Sequence, residues 1–389
     1  MRNMYLKKWA VLGLSFGAVF VAIIARAEAQ PKGFLETIHR HATLASTSPG
    51  NGDLNPYALF VIQQDSGVLH KNDVLVTNFN NITNLQGTGT TIVAYHPETG
   101  NISEFANLPR DLPACPGGVG LTTALTVLKS GWVIVGSAPS KDGSTLTKGD
   151  GCLIVLNTKG QYVTAWKGPL INAPWGDIAA LDRGDSATLF VSMSGYDLPG
   201  PYVKDPVTHY PPIIHKATVL RLDLTIPQGQ VPVLQKQTVI ASGFSARADR
   251  DNFLFGPTGL ALDTDGTLYV TDGYDEAVTA IDNAVSRTDA VTRSDDAVGR
   301  IISRGGLLNW PLAMMWVPGH HLLVSNGRNG QVVEIDPVAK KQLYAQWIDN
   351  DQAQQPPGNG DLFGLAMTPD GKSFYYVEDD MNTLNISTP

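Results

Sequence analysis

The chain carries few side chains suited to covalent chemistry. Beyond the N-terminal apolar run, no G-x-S-x-G elbow is present, and no phosphate loop or H-E-x-x-H pair occurs. His39 and His41 lie one step apart on a strand-like segment, and His320-His321 sits in a turn. Neither pair meets a third ligand, which argues against zinc. Oxygen donors are more plentiful. Asn78, Asp177, Asp272, Asn326 and Glu378 lie at or beside the ends of apolar runs, close to Trp175, Phe255, Trp310 and Phe363. Hard cations such as calcium or magnesium take carboxylate and amide oxygens of this kind. The same acidic residues also serve as acceptors for the backbone of their own turns. "DTDG" (263–266) resembles the start of a calcium loop. An EF-hand needs Gly at position 6 and Glu at 12, whereas here Gly266 is fourth and Tyr274 twelfth. It reads as a hairpin turn.

The bulk properties limit the partners. Arg2, Lys7 and Lys8 precede an uncharged run from Trp9 to Ile24, and Ala27-Glu28-Ala29 follows. That is the layout of a secretory signal peptide over 1–29, cleaved after Ala29. The run has 16 residues, short of the roughly 20 a membrane-spanning helix needs. No membrane span is expected after cleavage. The formal net charge is −8 and becomes −11 without that segment. An acidic, secreted or periplasmic chain with no basic run is a poor candidate for nucleic acid. The only cysteines are Cys115 and Cys152, and in an oxidising compartment they are expected to form a disulfide.

The elements that position the oxygen donors come from a repeat. Between Pro257 and Asp272 lie an apolar run, a polar turn and a second apolar run, the pattern of a β-hairpin. The same frame, 15 positions long, recurs at 311–326 ("PLAMMWVPGHHLLVSN"), 364–379 ("GLAMTPDGKSFYYVED") and 122–137 ("TTALTVLKSGWVIVGS"). Looser copies occupy 175–193 and 55–78. A third and a fourth strand-like run follow most hairpins. Six such units, starting near 55, 118, 175, 256, 310 and 363, predict an all-β, six-bladed β-propeller of four-stranded antiparallel blades over 30–389. The last unit stops at its third strand. The segment 34–46 is expected to supply the fourth and close the ring, which removes exposed sheet edges.

In this frame the ends of the second strands and the interblade loops share one face around the central channel. Cys115, Cys152 and the oxygen donors fall on it. So does the insertion "YDLPGPYVKDPVTHYPPIIHKA" (196–217), read as a rigid flap in which Tyr196, Tyr202, His209, Tyr210 and His215 cover a ligand. A second insertion, 283–297, is polar and reads as a surface excursion.

"GPTGLALDTDGTLYVTDGYDEAVTAID" (256–282) resembles an NHL repeat, and "VSNGRNGQVVEID" (324–336) resembles its second half. The Arg-Ile pair that usually opens the third strand is replaced by Ala277-Val278 and Gln331-Val332. The resemblance implies a propeller that acts mostly as a binding scaffold. Distant relatives include metal-dependent lactonases of the SMP-30 type and amidating lyases. The leading expectation is therefore a scaffold for a small molecule, peptide or protein on the channel face. The alternative is a metal-dependent hydrolase or lyase with calcium or magnesium held in the central channel by some of Asn78, Asp177, Asp272, Asn326 and Glu378. A structural cell-surface module is a third option.

Overall fold

The computed structural model describes residues 33–200, 210–250 and 252–389. The signal-peptide expectation lies outside them. Five antiparallel sheets have four strands each, and a sixth, larger sheet has seven. The four-stranded sheets are built from 54–107, 121–166, 257–304, 311–347 and 362–388, the last completed by Arg40–Ser46. They match the first, second, fourth, fifth and sixth expected repeats.

The third repeat departs from expectation. Its strands Ile214–Thr225 and Val233–Asp249 are long and bulged. Phe253–Phe255 folds back on the second of them, and Val291–Ser294 runs parallel beside it. The polar insertion 283–297 is thus a strand addition rather than a surface excursion. Its sequence alternates Val291, Thr292, Arg293 and Ser294, and polarity hid its pairing. The expectation of six equal four-stranded blades is corrected to five blades and one curled, seven-stranded sheet.

A hydroxyl near the end of the second strand fastens neighbouring sheets. Thr77, Ser192, Thr271 and Ser325 accept the inner-strand amides of Ala58, Gly176, Gly259 and Ala313. They donate to Thr122 O, Pro257 O, Leu312 O and Phe363 O of the next sheet, at 2.9, 2.6, 2.6 and 3.3 Å. Each hydroxyl is fully buried and satisfied on both sides, so replacing one leaves orphaned backbone groups. Glycine is required where inner strands touch. A Cβ on Gly259 would lie 2.4 Å from Leu312 O, and one on Gly364 would lie 2.6 Å from Tyr57 O. The second contact sets the inner strand of the last sheet against that of the first.

The N-terminal segment is not a strand throughout. Leu35–Thr37 forms a single 3-10 turn, and pairing with Thr383–Thr388 begins at Arg40. The turn is fixed by the fully buried Glu334. Its carboxylate accepts the amides of Phe34 and Leu35 at 2.9 and 2.8 Å, and His321 Nδ1 approaches to 2.7 Å. A disulfide joins Cys115 and Cys152, and closing a loop of this length contributes about 4 kcal/mol in the chain-entropy account. "DTDG" is a hairpin turn, with Gly266 at φ +87° and its amide bonded to Asp263 O. Asp263 meets His320, which stacks on Trp316.

Candidate functional site

Aromatic rings occupy the ring axis on the channel face. Tyr57 stacks on Phe363 at 4.0 Å and on Phe79 at 4.7 Å. Trp175 stands edge-on to Tyr57 and Phe79, and Phe253 packs against Phe79 and Trp175. These rings come from the first, third and last sheets and, for Trp175, from the segment entering the third. Side chains so far apart in sequence meet only at the axis. All five are buried, and each pair adds about 1 kcal/mol beyond burial of its area.

The five predicted ligand residues do not gather around a common point. Asn78 Nδ2 donates to Thr47 O and Thr91 Oγ1. Asp177 takes the backbone amides of Leu260 and Met314, and burial pushes its carboxyl up to about 7. Asp272 accepts the amides of Ser245 and Asp275, at 3.1 and 3.3 Å. Burial and the nearby Asp275 raise its carboxyl to about 7. Asn326 is held by Asn309 N, Leu307 O and Asn329 Oδ1. Glu378 accepts the Thr383 hydroxyl at 3.3 Å, and burial followed by Asp349 raises it to about 7. Most of these bonds serve the residue's own turn or an adjoining backbone. Asn78 Oδ1 is buried without a hydrogen-bond partner, while oxygens of the other four are engaged by neighbouring groups.

A different set of carboxylates does converge. Among the described residues, Asp361, Asp379 and Asp380 bring oxygen atoms within 4.8 Å of one another. Asp361 opens the inner strand of the last sheet, and Asp379 and Asp380 follow its second strand. Asp349 sits beside them at the end of the fifth sheet. Burial, then Asp380, pushes Asp361 up to about 8. Burial, then Asp361, raises Asp379 well above the usual range. Asn55 Nδ2 of the first sheet donates to Asp379 Oδ2 at 3.3 Å.

The opposite side of the same face is basic and aromatic. The Arg328 guanidinium lies 3.7 Å from the centre of the Trp310 ring and 3.7 Å from an Asp249 oxygen. Arg247 lies over Tyr274 at 4.5 Å and near Tyr210 at 4.9 Å. Phe255 packs edge-on to Trp310 and Tyr274.

Beside this half opens a cavity of about 550 Å³. Tyr196, His215, Lys216, Thr218 and Arg293 line its polar wall. His215 Nδ1 meets Ser245 Oγ at 3.2 Å, and Ser245 Oγ donates to Asp275 Oδ1 at 2.9 Å. Arg293 grips the same carboxylate with both terminal nitrogens, at 2.8 and 3.0 Å. Burial, then the Arg293 charge, lowers the His215 pKa. The expected flap is thus divided: Tyr196 and His215 line the cavity, Tyr210 lies against Arg247, and Tyr202 and His209 fall outside the described residues.

Compared by sequence, no family model matches the chain and no curated protein does. Compared by structure, it is similar to a gluconolactonase from Xanthomonas campestris, at 14% identity over 90% of this chain and 89% of that one, with a TM-score of 0.53. It is similar to a PQQ-bound aldose sugar dehydrogenase from Streptomyces coelicolor, at 14% identity over 90% and 98%, TM-score 0.51. It is also similar to a luciferin-regenerating enzyme, at 9% identity over 90% and 95%, TM-score 0.53. These likenesses show the β-propeller fold.

The sequence signal for His215 was its place in the insertion. Asp275 and Arg293 carried no such signal, because their meeting depends on the added strand. Asp349 and Asp361 sit in an interblade loop rich in Gln, Pro and Gly, where the repeat frame gives no register.

Proposed function

We propose that this protein is a secreted or periplasmic enzyme of the hydrolase or lyase class that acts on a small, oxygen-rich molecule on the channel face. The observation that carries the reading is the cavity of about 550 Å³ with His215 in its wall. His215 makes its described hydrogen bond through Nδ1, so Nε2 is the nitrogen left for substrate. A lowered pKa keeps the imidazole neutral near pH 7, as a general base requires. In hydrolysis, Nε2 takes a proton from water as the oxygen attacks a carbonyl, then returns it to the leaving oxygen. In elimination, Nε2 takes the proton from carbon, the C–H pair forms a C=C bond, and the C–O bond breaks as the leaving oxygen departs with its electron pair and takes up that proton. Lys216 and Arg293 supply positive charge for the oxygen that becomes anionic.

The similarity to a gluconolactonase and a sugar dehydrogenase supports a sugar-derived substrate. The signal-like segment and the disulfide support export. We also count the seven-stranded sheet as the sixth blade, since its second-strand Ser192 bonds onward to Pro257 O as its counterparts do elsewhere, and Thr122 of the second sheet donates to Pro174 O at its entry. Most of the five predicted ligand residues are engaged by neighbouring groups, and no step is routed through a divalent ion. A scaffold without catalysis, which binds a small molecule, peptide or protein, is the competing reading.

The test is acid release from D-gluconolactone and related sugar lactones, followed with a pH indicator. Turnover above the spontaneous rate that is lost in His215→Ala, with the fold intact by circular dichroism, is expected. Equal rates in the variant would move the chemistry elsewhere. No turnover of any lactone would favour the scaffold.

A further inference from the structure

We propose that Asp349, Asp361, Asp379 and Asp380 hold a divalent cation of the calcium class, off the ring axis, at the seam where the last sheet meets the first. Two ligands on opposite sides of one calcium ion lie about 4.8 Å apart, twice a calcium–oxygen distance. The oxygens of Asp361, Asp379 and Asp380 satisfy that limit.

A second, independent observation is Asp349. It is only 8% exposed, and its Oδ2 has no hydrogen-bond partner. Its Oδ1 is taken by the amide of Asp351, so Oδ2 is the atom left over. The Asp349 side chain lies in hydrogen-bonding contact with that of Asp361, carboxylate against carboxylate. Asp361 is itself 4% exposed, and its Oδ2 also lacks a donor.

The surrounding loop offers further oxygen. Gln354 Oε1 and Asn359 Oδ1 are enclosed without a donor. Among the described residues, no ion pair joins a Lys, Arg or His to any of the four carboxylates. Their side-chain donors are amides, Asn55 Nδ2 to Asp379 and Gln354 Nε2 to Asp380 at 3.4 Å. Two unit charges 4 Å apart at an effective dielectric of 20 repel by about 4 kcal/mol. Three buried carboxylates with the exposed Asp380 at their edge are therefore costly unless protons or a metal neutralise them. Carboxylate and amide oxygens on a loop suit calcium, which accepts six to eight ligands in flexible geometry. They suit zinc poorly, since the set contains no His or Cys.

The site has a structural consequence. Asp349 ends the fifth sheet, Asp361 and Asp379 belong to the last, and Asn55 ties Asp379 to the first. One ion would fasten all three where the chain closes on itself. This inference does not rest on the enzyme reading, because its test reads binding rather than turnover.

The full chain is purified, its metal content measured by elemental analysis, and then stripped with EDTA. Melting is followed with added calcium, magnesium or zinc chloride. Calcium is expected to raise the melting temperature saturably, as any ligand of the folded state does. The Asp361→Asn variant should lose that shift. Asp272→Asn, which alters another buried carboxylate on the same face, should keep it. Asp380→Asn, at the exposed edge, should weaken calcium binding in calorimetry and serves if Asp361→Asn does not fold. The proposal is overturned if the protein carries no calcium and does not respond to it. It is equally overturned if both variants respond as the wild type does.

Discussion

The two halves of the channel face handle charge in opposite ways. On the basic side, Arg247 and Arg328 rest on the faces of Tyr274 and Trp310, and Arg328 meets Asp249. Arg328 is paired with a carboxylate, whereas Arg247 rests on aromatic rings with its Nε unpartnered. On the acidic side, Asp349, Asp361, Asp379 and Asp380 face one another with no basic side chain described among them. The basic groups find aromatic faces and one carboxylate, while the acidic groups find only amides and one another. Tyr57, Phe79, Trp175, Phe253 and Phe363 form a packed aromatic cluster on the same face. Charge pairing is thus local, and burial alone does not make a group basic or acidic in its effect.

This contrast can be broken most strongly at the aromatic cluster. Trp175→Ala removes a ring that touches three others, and a loss of about 3–5 kcal/mol is expected, measured as the shift in the denaturant midpoint. A loss below 1 kcal/mol would mean the axis is not a packed core.

The next effect concerns pH. Burial holds the Asp177 carboxyl at about 7, above its ordinary 3.8. The folded state then keeps a proton that the unfolded chain has released, so stability falls as pH rises from about 4 through about 7. Melting temperatures across that window should decline, and Asp177→Asn should flatten part of the decline. An unchanged slope in the variant would assign it to other carboxyls.

The acidic half should gain from losing a charge. In EDTA at about pH 9, above the value of about 8 to which the Asp361 carboxyl is raised, Asp361→Asn is expected to stabilise the protein by about 1–2 kcal/mol, because it relieves repulsion among neighbouring carboxylates. Destabilisation in EDTA would mean that the cluster is already neutralised by protons.

The basic half should show the smallest response. Arg328→Ala removes a cation over Trp310 and a partner of Asp249, at an expected cost of about 1 kcal/mol. Addition of calcium should leave that cost unchanged.

Much of the architecture was legible because the repeat has strict spacing. Pro257 to Asp272 pairs across its hairpin as the frame requires, as does Pro311 to Asn326. The turn role of "DTDG" followed from the position of Gly266. The third repeat was misjudged, since an alternating polar segment near 291–294 gave no sign of pairing with a strand some 50 residues earlier. The candidate ligands Asn78, Asp177, Asp272, Asn326 and Glu378 were named by slot. A slot fixes where a side chain begins, while its hydrogen bonds depend on which donors lie within reach.

The sequence by itself determined the strands, their order, the disulfide partners and the face that carries the loops. Each follows from local periodicity or from a count of residue types. Tertiary structure alone decided that aromatics from several sheets pack together, that His215 reaches Asp275 and Arg293 through Ser245, and that aspartates from one interblade loop and one turn within the last sheet come together. Those facts depend on distances between segments far apart in the chain. The number of ways such segments can approach one another is limited only when all the sheets pack together.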